Sequence, residues 1–184
     1  MPGRRIVVVG ASGAGKTAVA KRLSQMLNLS HICSDAIFWG PDWTQVPPEH
    51  QDHEYDQATR ADTWAIDGNV GSLTKPKDQM IIDRADTLVW LDLPRWQIFA
   101  QVLRRTIRRA WTRDPMWHNN RESWHLSFFS RDSILLWSMQ TYTKRRKQYS
   151  SLFTDPKYSH LKLIRLTNRR QVDAWLASLD KPIA

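Results

Sequence analysis

Gly10-Ala11-Ser12-Gly13-Ala14-Gly15-Lys16-Thr17 fits the pattern G-x-x-x-x-G-K-[ST] and follows directly on the apolar, β-branched run Arg5-Ile6-Val7-Val8-Val9. That run reads as a buried strand. Ala18 to Leu27 reads as a helix, with Val19, Leu23, Met26 and Leu27 near helical spacing. Strand, glycine loop and helix together form the context in which this motif binds phosphate. The glycines let the backbone turn sharply, so that several N–H groups face one concavity, and the helix adds its positive dipole end. Gly10, Ala11, Ser12, Gly13, Ala14, Gly15 and Ala18 are therefore expected to surround phosphates. Lys16 is expected to reach the β- and γ-phosphates, and the Thr17 hydroxyl to bind Mg2+. By residue frequencies, the four fixed positions arise in roughly one chain of this length in 150. The sequence predicts a nucleoside-triphosphate binder.

A length of 184 residues suits one α/β domain with a full core. Arg4-Arg5 leads into too short an apolar run for a signal peptide. No apolar stretch approaches the length that spans a bilayer, and no membrane partner is expected. The single cysteine, Cys33, excludes an internal disulfide and suits a reducing cytoplasm, the expected location. The net charge of +9 is unevenly placed: Arg95 to Ser150 holds twelve Lys/Arg against three acidic residues, and the rest holds fifteen of each. A basic excess confined to one segment implies an anionic partner there, either nucleic acid or the phosphates of ATP.

Strands and helices alternate along the chain. His31-Ile32-Cys33-Ser34 is a short second strand ending at Asp35, followed by a Trp/Pro-rich loop from Phe38 to Pro48 and a polar helix over Glu49 to Ala61. Thr63-Trp64-Ala65-Ile66 is a third strand ending at Asp67, with Gly68-Asn69 as its turn. Thr87-Leu88-Val89-Trp90-Leu91 is a fourth, ending at Asp92, with Pro94 opening a helix. Leu161 to Leu166 is a fifth strand, and Arg170 to Leu179 a closing helix. This alternation predicts a parallel sheet covered on both faces.

On the helix from Pro94, Ile98, Phe99, Val102, Leu103, Thr106, Ile107 and Ala110 share one side. Arg104, Arg105 and Arg108 lie on the other, with Arg109 at the border. Four arginines within six residues repel one another unless an anion is bound. Trp111 to Ser130 has no clear period and mixes aromatic with polar residues, as a lid or binding loop does. Arg131 to Tyr149 returns as a long helix ending in Lys144-Arg145-Arg146-Lys147, cations that a helix C-terminus favours on dipole grounds alone. The expected organisation is one domain over 1–184, with an acceptor-side insert at 36–62 and a lid at 104–131.

Phosphoryl transfer needs a cradle for the donor, a metal, positive charge on the moving group and a way to orient the acceptor. In open α/β sheets, ligands bind beyond the carboxyl ends of the strands, where Asp35, Asp67 and Asp92 are expected. Asp67 is the candidate for the Mg2+ shell beside Thr17, and Asp35 the candidate for holding or deprotonating an acceptor hydroxyl. Asp92 is read as a cap on the following helix. Arg105 and Arg109 sit one turn apart, as do Arg104 and Arg108, so either pair can clamp a triphosphate.

These residues resemble the small P-loop kinases related to adenylate and shikimate kinases. More closely, they resemble the bacterial adenylate-kinase-like proteins often called DNA topology modulation (FlaR-like) proteins. The likeness rests on the glycine loop, Asp35-Ala36-Ile37-Phe38-Trp39, Ile66-Asp67-Gly68-Asn69, Ala85 to Pro94 and the arginine-rich helix after it. It implies a five-stranded sheet in the order 2-3-1-4-5, an arginine-bearing lid, and an adenine site near Asn168-Arg169-Arg170. Adenylate kinases carry D-G-F-P-R where this chain has Asp67-Gly68-Asn69-Val70-Gly71. The arginine that holds an acceptor nucleotide's phosphate is thus missing, and Arg84 is the candidate substitute. The expectation is an ATP- and Mg2+-dependent kinase acting on a small molecule, with a nucleotide or nucleoside favoured as acceptor. A nucleic-acid-binding NTPase using the basic helices is the second reading.

Overall fold

The structure, a computed structural model, describes residues 2–68, 75–112, 117–120 and 134–180, with the side chains of 109, 110 and 134–139 outside that description. Five parallel strands form one sheet in the order β2-β3-β1-β4-β5: β1 Arg5–Gly10, β2 Ser30–Cys33, β3 Trp64–Asp67, β4 Thr87–Leu91 and β5 Lys162–Leu166. The three central strands are almost wholly buried, as a parallel sheet covered on both faces requires. The edge strands β2 and β5 are only partly so. Seven helices are described: α1 Lys16–Leu27, α2 Ser34–Phe38, α3 Pro48–Thr59, α4 Pro76–Arg84, α5 Arg95–Thr112, α6 Ile134–Leu152 and α7 Arg169–Leu179.

Alternate side chains of each strand feed two cores. Ile6, Val8, Ala65, Val89 and Leu91 pack on one face with Val19 and Leu23 of α1, Ile98 and Val102 of α5 and Val172 of α7. Val7, Val9, Ile66, Leu88 and Trp90 pack on the other with Tyr55 of α3, Ile81 and Ile82 of α4 and Tyr149 and Leu152 of α6. Register aligns the carboxyl ends: Cys33 and Val8 both pair with Asp67, and Gly10 pairs with Leu91. Every strand therefore delivers its chain to the rim that carries the glycine loop.

Local structure departs from the sequence reading in several places. The second strand stops at Cys33, and Ser34 and Asp35 belong to the first turn of α2 rather than to a strand end. Helix α4 was not anticipated; it opens with Pro76 at its first position and buries Asp78, Ile81 and Ile82. The polar helix α3 buries Gln51, Tyr55 and Thr59, an i, i+4, i+8 stripe largely of polar residues that hydrophobic periodicity does not register. Among the described side chains of the expected apolar side of α5, Ile98, Val102 and Thr106 are buried, whereas Phe99 and Ile107 are exposed. Residues 104–112 of the expected lid are the last turns of α5. Of the remainder, only the turn Trp117–Asn119 and Asn120 are described, and the lid expected at 113–116 and 121–131 lies outside the described residues. Asn120 is buried: its Oδ1 accepts from the Trp43 amide at 3.0 Å, and its Nδ2 donates to Gly40 O at 2.8 Å.

Candidate active site

The loop between β1 and α1 is closed by its own backbone, Ala14 N donating to Ala11 O at 3.1 Å. Gly15 caps α1 at φ 90°, ψ 21°, and Gly13 sits at φ +84° where a Cβ would overlap Val102 Cγ2 of α5. Both conformations belong to glycine, and at Gly13 the missing side chain also lets α5 approach the loop. A Cβ placed on Gly15 would stand 3.8 Å from Arg169 Nη1 and 3.9 Å from Gln101 Oε1. The start of α7 and the second turn of α5 therefore flank the loop. Ser12, Gly13, Gly15 and Thr17 are half-buried and Ala18 is exposed, so the loop is accessible at its outer side.

Lys16 folds back over this loop, donating from Nζ to Gly10 O and Ala11 O at 3.1 Å each. The residue as a whole retains some exposure, but its ammonium is enclosed, and this desolvation lowers its pKa to about 8. The carboxylates of Asp35 and Asp67 counter the shift, and the guanidiniums of Arg105 and Arg145 add to it. Four charged groups, from α2, β3, α5 and α6, thus act electrostatically on one lysine. Asp35 is half-buried in the first turn of α2. Its charge also raises the pKa values of the Tyr55 phenol and the Cys33 thiol, for both of which burial is the larger cause.

Asp67 is buried at the end of β3, with Oδ1 3.3 Å from His31 Nε2 but no hydrogen bond to that oxygen. A buried carboxylate oxygen left in this way suits a cation or its bound water. Among the described residues, no group of three His, Cys, Asp or Glu side chains is gathered to hold a metal ion. Mg2+ needs none, because one or two protein oxygens with water and substrate phosphates complete its shell. Thr17 and Asp67 therefore fit the ion.

The arginines divide. Arg105 is half-buried and acts on Lys16, whereas Arg104 and Arg108 are exposed; the side chain of Arg109 lies outside the described residues. Arg145 was not anticipated as a site residue. It lies half-buried while Lys144, Arg146 and Lys147 beside it are exposed. Its spacing from Tyr142, Tyr149 and Leu152 is the signal that places it on the inner stripe of α6.

Asn168 caps α7, its Oδ1 accepting from Gln171 N at 2.9 Å, and Arg169 Nε lies 3.2 Å from Asp173 Oδ1. Two expected residues have further partners. Asp92 does more than the capping role expected of it: Arg165 Nε donates to its Oδ2 and Arg146 Nε stands by Oδ1, each at 3.0 Å. Arg84 does not point to an acceptor; it ties α4 to α3 through Asp56 O at 3.1 Å, Thr59 Oγ1 at 2.8 Å and Asp56 Oδ1 at 2.7 Å. Trp39 packs edge-on against Phe38 and Trp43, with ring centroids 4.8 and 5.7 Å apart, so these rings serve one another.

The chain matches no family model and no curated protein. Among solved structures it superposes on shikimate kinase from Acinetobacter baumannii in complex with shikimate, with a TM-score of 0.60 at 15% identity over 96% of this chain and 90% of that one. Shikimate kinase from Bacteroides thetaiotaomicron gives 0.58 at 16% identity, covering 96% of each chain. The fold is that of shikimate kinase. A gluconokinase from Sinorhizobium meliloti 1021 shares the shikimate-kinase-type fold, with a TM-score of 0.52 at 14% identity over 97% of this chain and 94% of that one. No described helix is long and apolar enough to cross a membrane.

Proposed function

We propose that this protein transfers the γ-phosphoryl group of ATP to a hydroxyl of a small molecule, and that the acceptor is a nucleoside or nucleotide. The observation that carries the reading is the convergence of Asp35, Asp67, Arg105 and Arg145 on the ammonium of Lys16 within the glycine loop. Kinase neighbours of the same fold support it. Lys16 exchanges the Gly10 and Ala11 carbonyls for donor phosphate oxygens, and the loop amides fix those oxygens in place. Asp35 orients the acceptor hydroxyl and takes its proton as the bond to phosphorus forms. Arg105 and Arg145 stabilise charge on the group in transit, and Arg109 with Arg104 and Arg108 clamps the triphosphate from the end of α5. Mg2+, held by Thr17 and Asp67, supplies neutralisation of the phosphate oxygens when bound. Asn168 and Arg169 border the adenine.

Within the P-loop kinases we place the chain with the adenylate-kinase-like FlaR group, on Asp35-Ala36-Ile37-Phe38-Trp39 and Ala85 to Pro94. With Arg84 tied to α3, a nucleoside is favoured over a monophosphate. The test is ADP release from Mg-ATP across a panel of nucleosides, nucleoside monophosphates, shikimate and gluconate, with Lys16→Ala as control. A rise with one acceptor class, absent in the control, is expected. Turnover unchanged by Lys16→Ala, or raised only by DNA, would overturn the reading.

A further inference from the structure

One carboxylate at the end of β4 holds two arginines. Asp92, its side chain 2% exposed, receives Arg165 Nε and Nη2 on Oδ2 and stands against Arg146 Nε through Oδ1, with Arg146 Nη2 3.4 Å from Oδ2, yet the two arginine side chains remain 44% and 51% exposed. Arg165 is fixed a second time, its guanidinium carbon 4.6 Å from the centre of the Trp90 ring. A guanidinium anchored by one part of its fork keeps further N–H donors free for a second oxyanion. Both arginines line a cavity of about 750 Å³, broadly open to solvent, together with Lys147, Thr143, Ser150 and Ser151. These three cations stand against the single carboxylate of Asp92, and the residues lining the cavity include no acid.

We propose that this cavity is a second anion site, which takes a phosphate-bearing ligand independently of the glycine loop. Pre-oriented arginine forks suit an anion with several oxygens in a tetrahedral array, and hydroxyls and the ammonium of the exposed Lys147 complete its donors. None of the lining residues belongs to the glycine loop or to α1. Arg165 lies with Trp90 on the sheet face that carries Tyr149 and Leu152, while α1 packs on the opposite face. The ligand is a free polyphosphate or the phosphodiester backbone of a nucleic acid, which share this chemistry.

Calorimetric titration with tripolyphosphate and with a single-stranded oligodeoxynucleotide tests the site in the Lys16→Ala protein, where the loop is disabled. One binding event is expected to survive there and to weaken at least about tenfold when Arg146→Gln and Lys147→Ala are added. Arg165 still holds Asp92 in that variant. If it does not fold, Lys147→Ala with Ser151→Ala, which leaves both Asp92 pairs in place, carries the same expectation. Binding of tripolyphosphate alone assigns the ligand to free polyphosphates, and tighter binding of the oligonucleotide assigns it to nucleic acid. Binding of neither, or affinity unchanged by the cavity substitutions, would overturn the proposal.

Discussion

At the scale of single residues, Lys16 is the most informative group because its charge is held at a cost. Its pKa lies near 8 in the folded protein and near 10.5 in an unfolded chain, so between those values the unfolded state binds more protons. The free protein should therefore gain stability from this group as pH rises from about 8 towards 10. Above that, Tyr55 and Tyr149 act in the opposite sense, because burial raises their phenols to about 12. Denaturant unfolding of wild type and Lys16→Met at pH 8 and pH 10 checks this: the wild type should gain relative to the variant, and an equal pH response in both would remove Lys16 as the cause. Arg105 and Arg145 act on the same ammonium from α5 and α6. Replacing either by Ala should lower turnover at least about tenfold, with the folded fraction unchanged by circular dichroism.

At the scale of elements, Arg84 and Asn120 are ties between segments. Arg84 joins α4 to α3. Arg84→Ala should lower the melting temperature while leaving KM for the acceptor unchanged, and a raised KM with an unchanged melting temperature would return it to the site. Asn120 holds the loop at 40–43 through two hydrogen bonds. Asn120→Ala should speed hydrogen exchange of the Trp43 amide by about tenfold, the loss of roughly one buried hydrogen bond. Neither tie is written in periodicity. Both depend on which segments the fold brings together, and the partners lie 25 or more residues away in sequence. The glycine loop, by contrast, is local. Its strand, turn and helix are adjacent in the chain, so the residues that form it are legible from their order alone. Arg145 falls between these cases, hidden within four consecutive cations but marked by its spacing from Tyr142 and Tyr149.

At the scale of the whole molecule, alternation of apolar runs with helical segments disclosed a parallel sheet, and the resemblance implied its order, which the structure has. The acceptor was less legible, because no single motif in the sequence names it. Convergence of loop, carboxylates and arginines at one rim is what supports catalysis over mere binding. Phosphorus NMR of Mg-ATP incubated with the protein and pooled nucleosides tests this most directly. The account predicts a new phosphomonoester resonance growing in step with ADP and absent with Lys16→Ala. Inorganic phosphate as the only product, or no change in ATP with any acceptor, would contradict it.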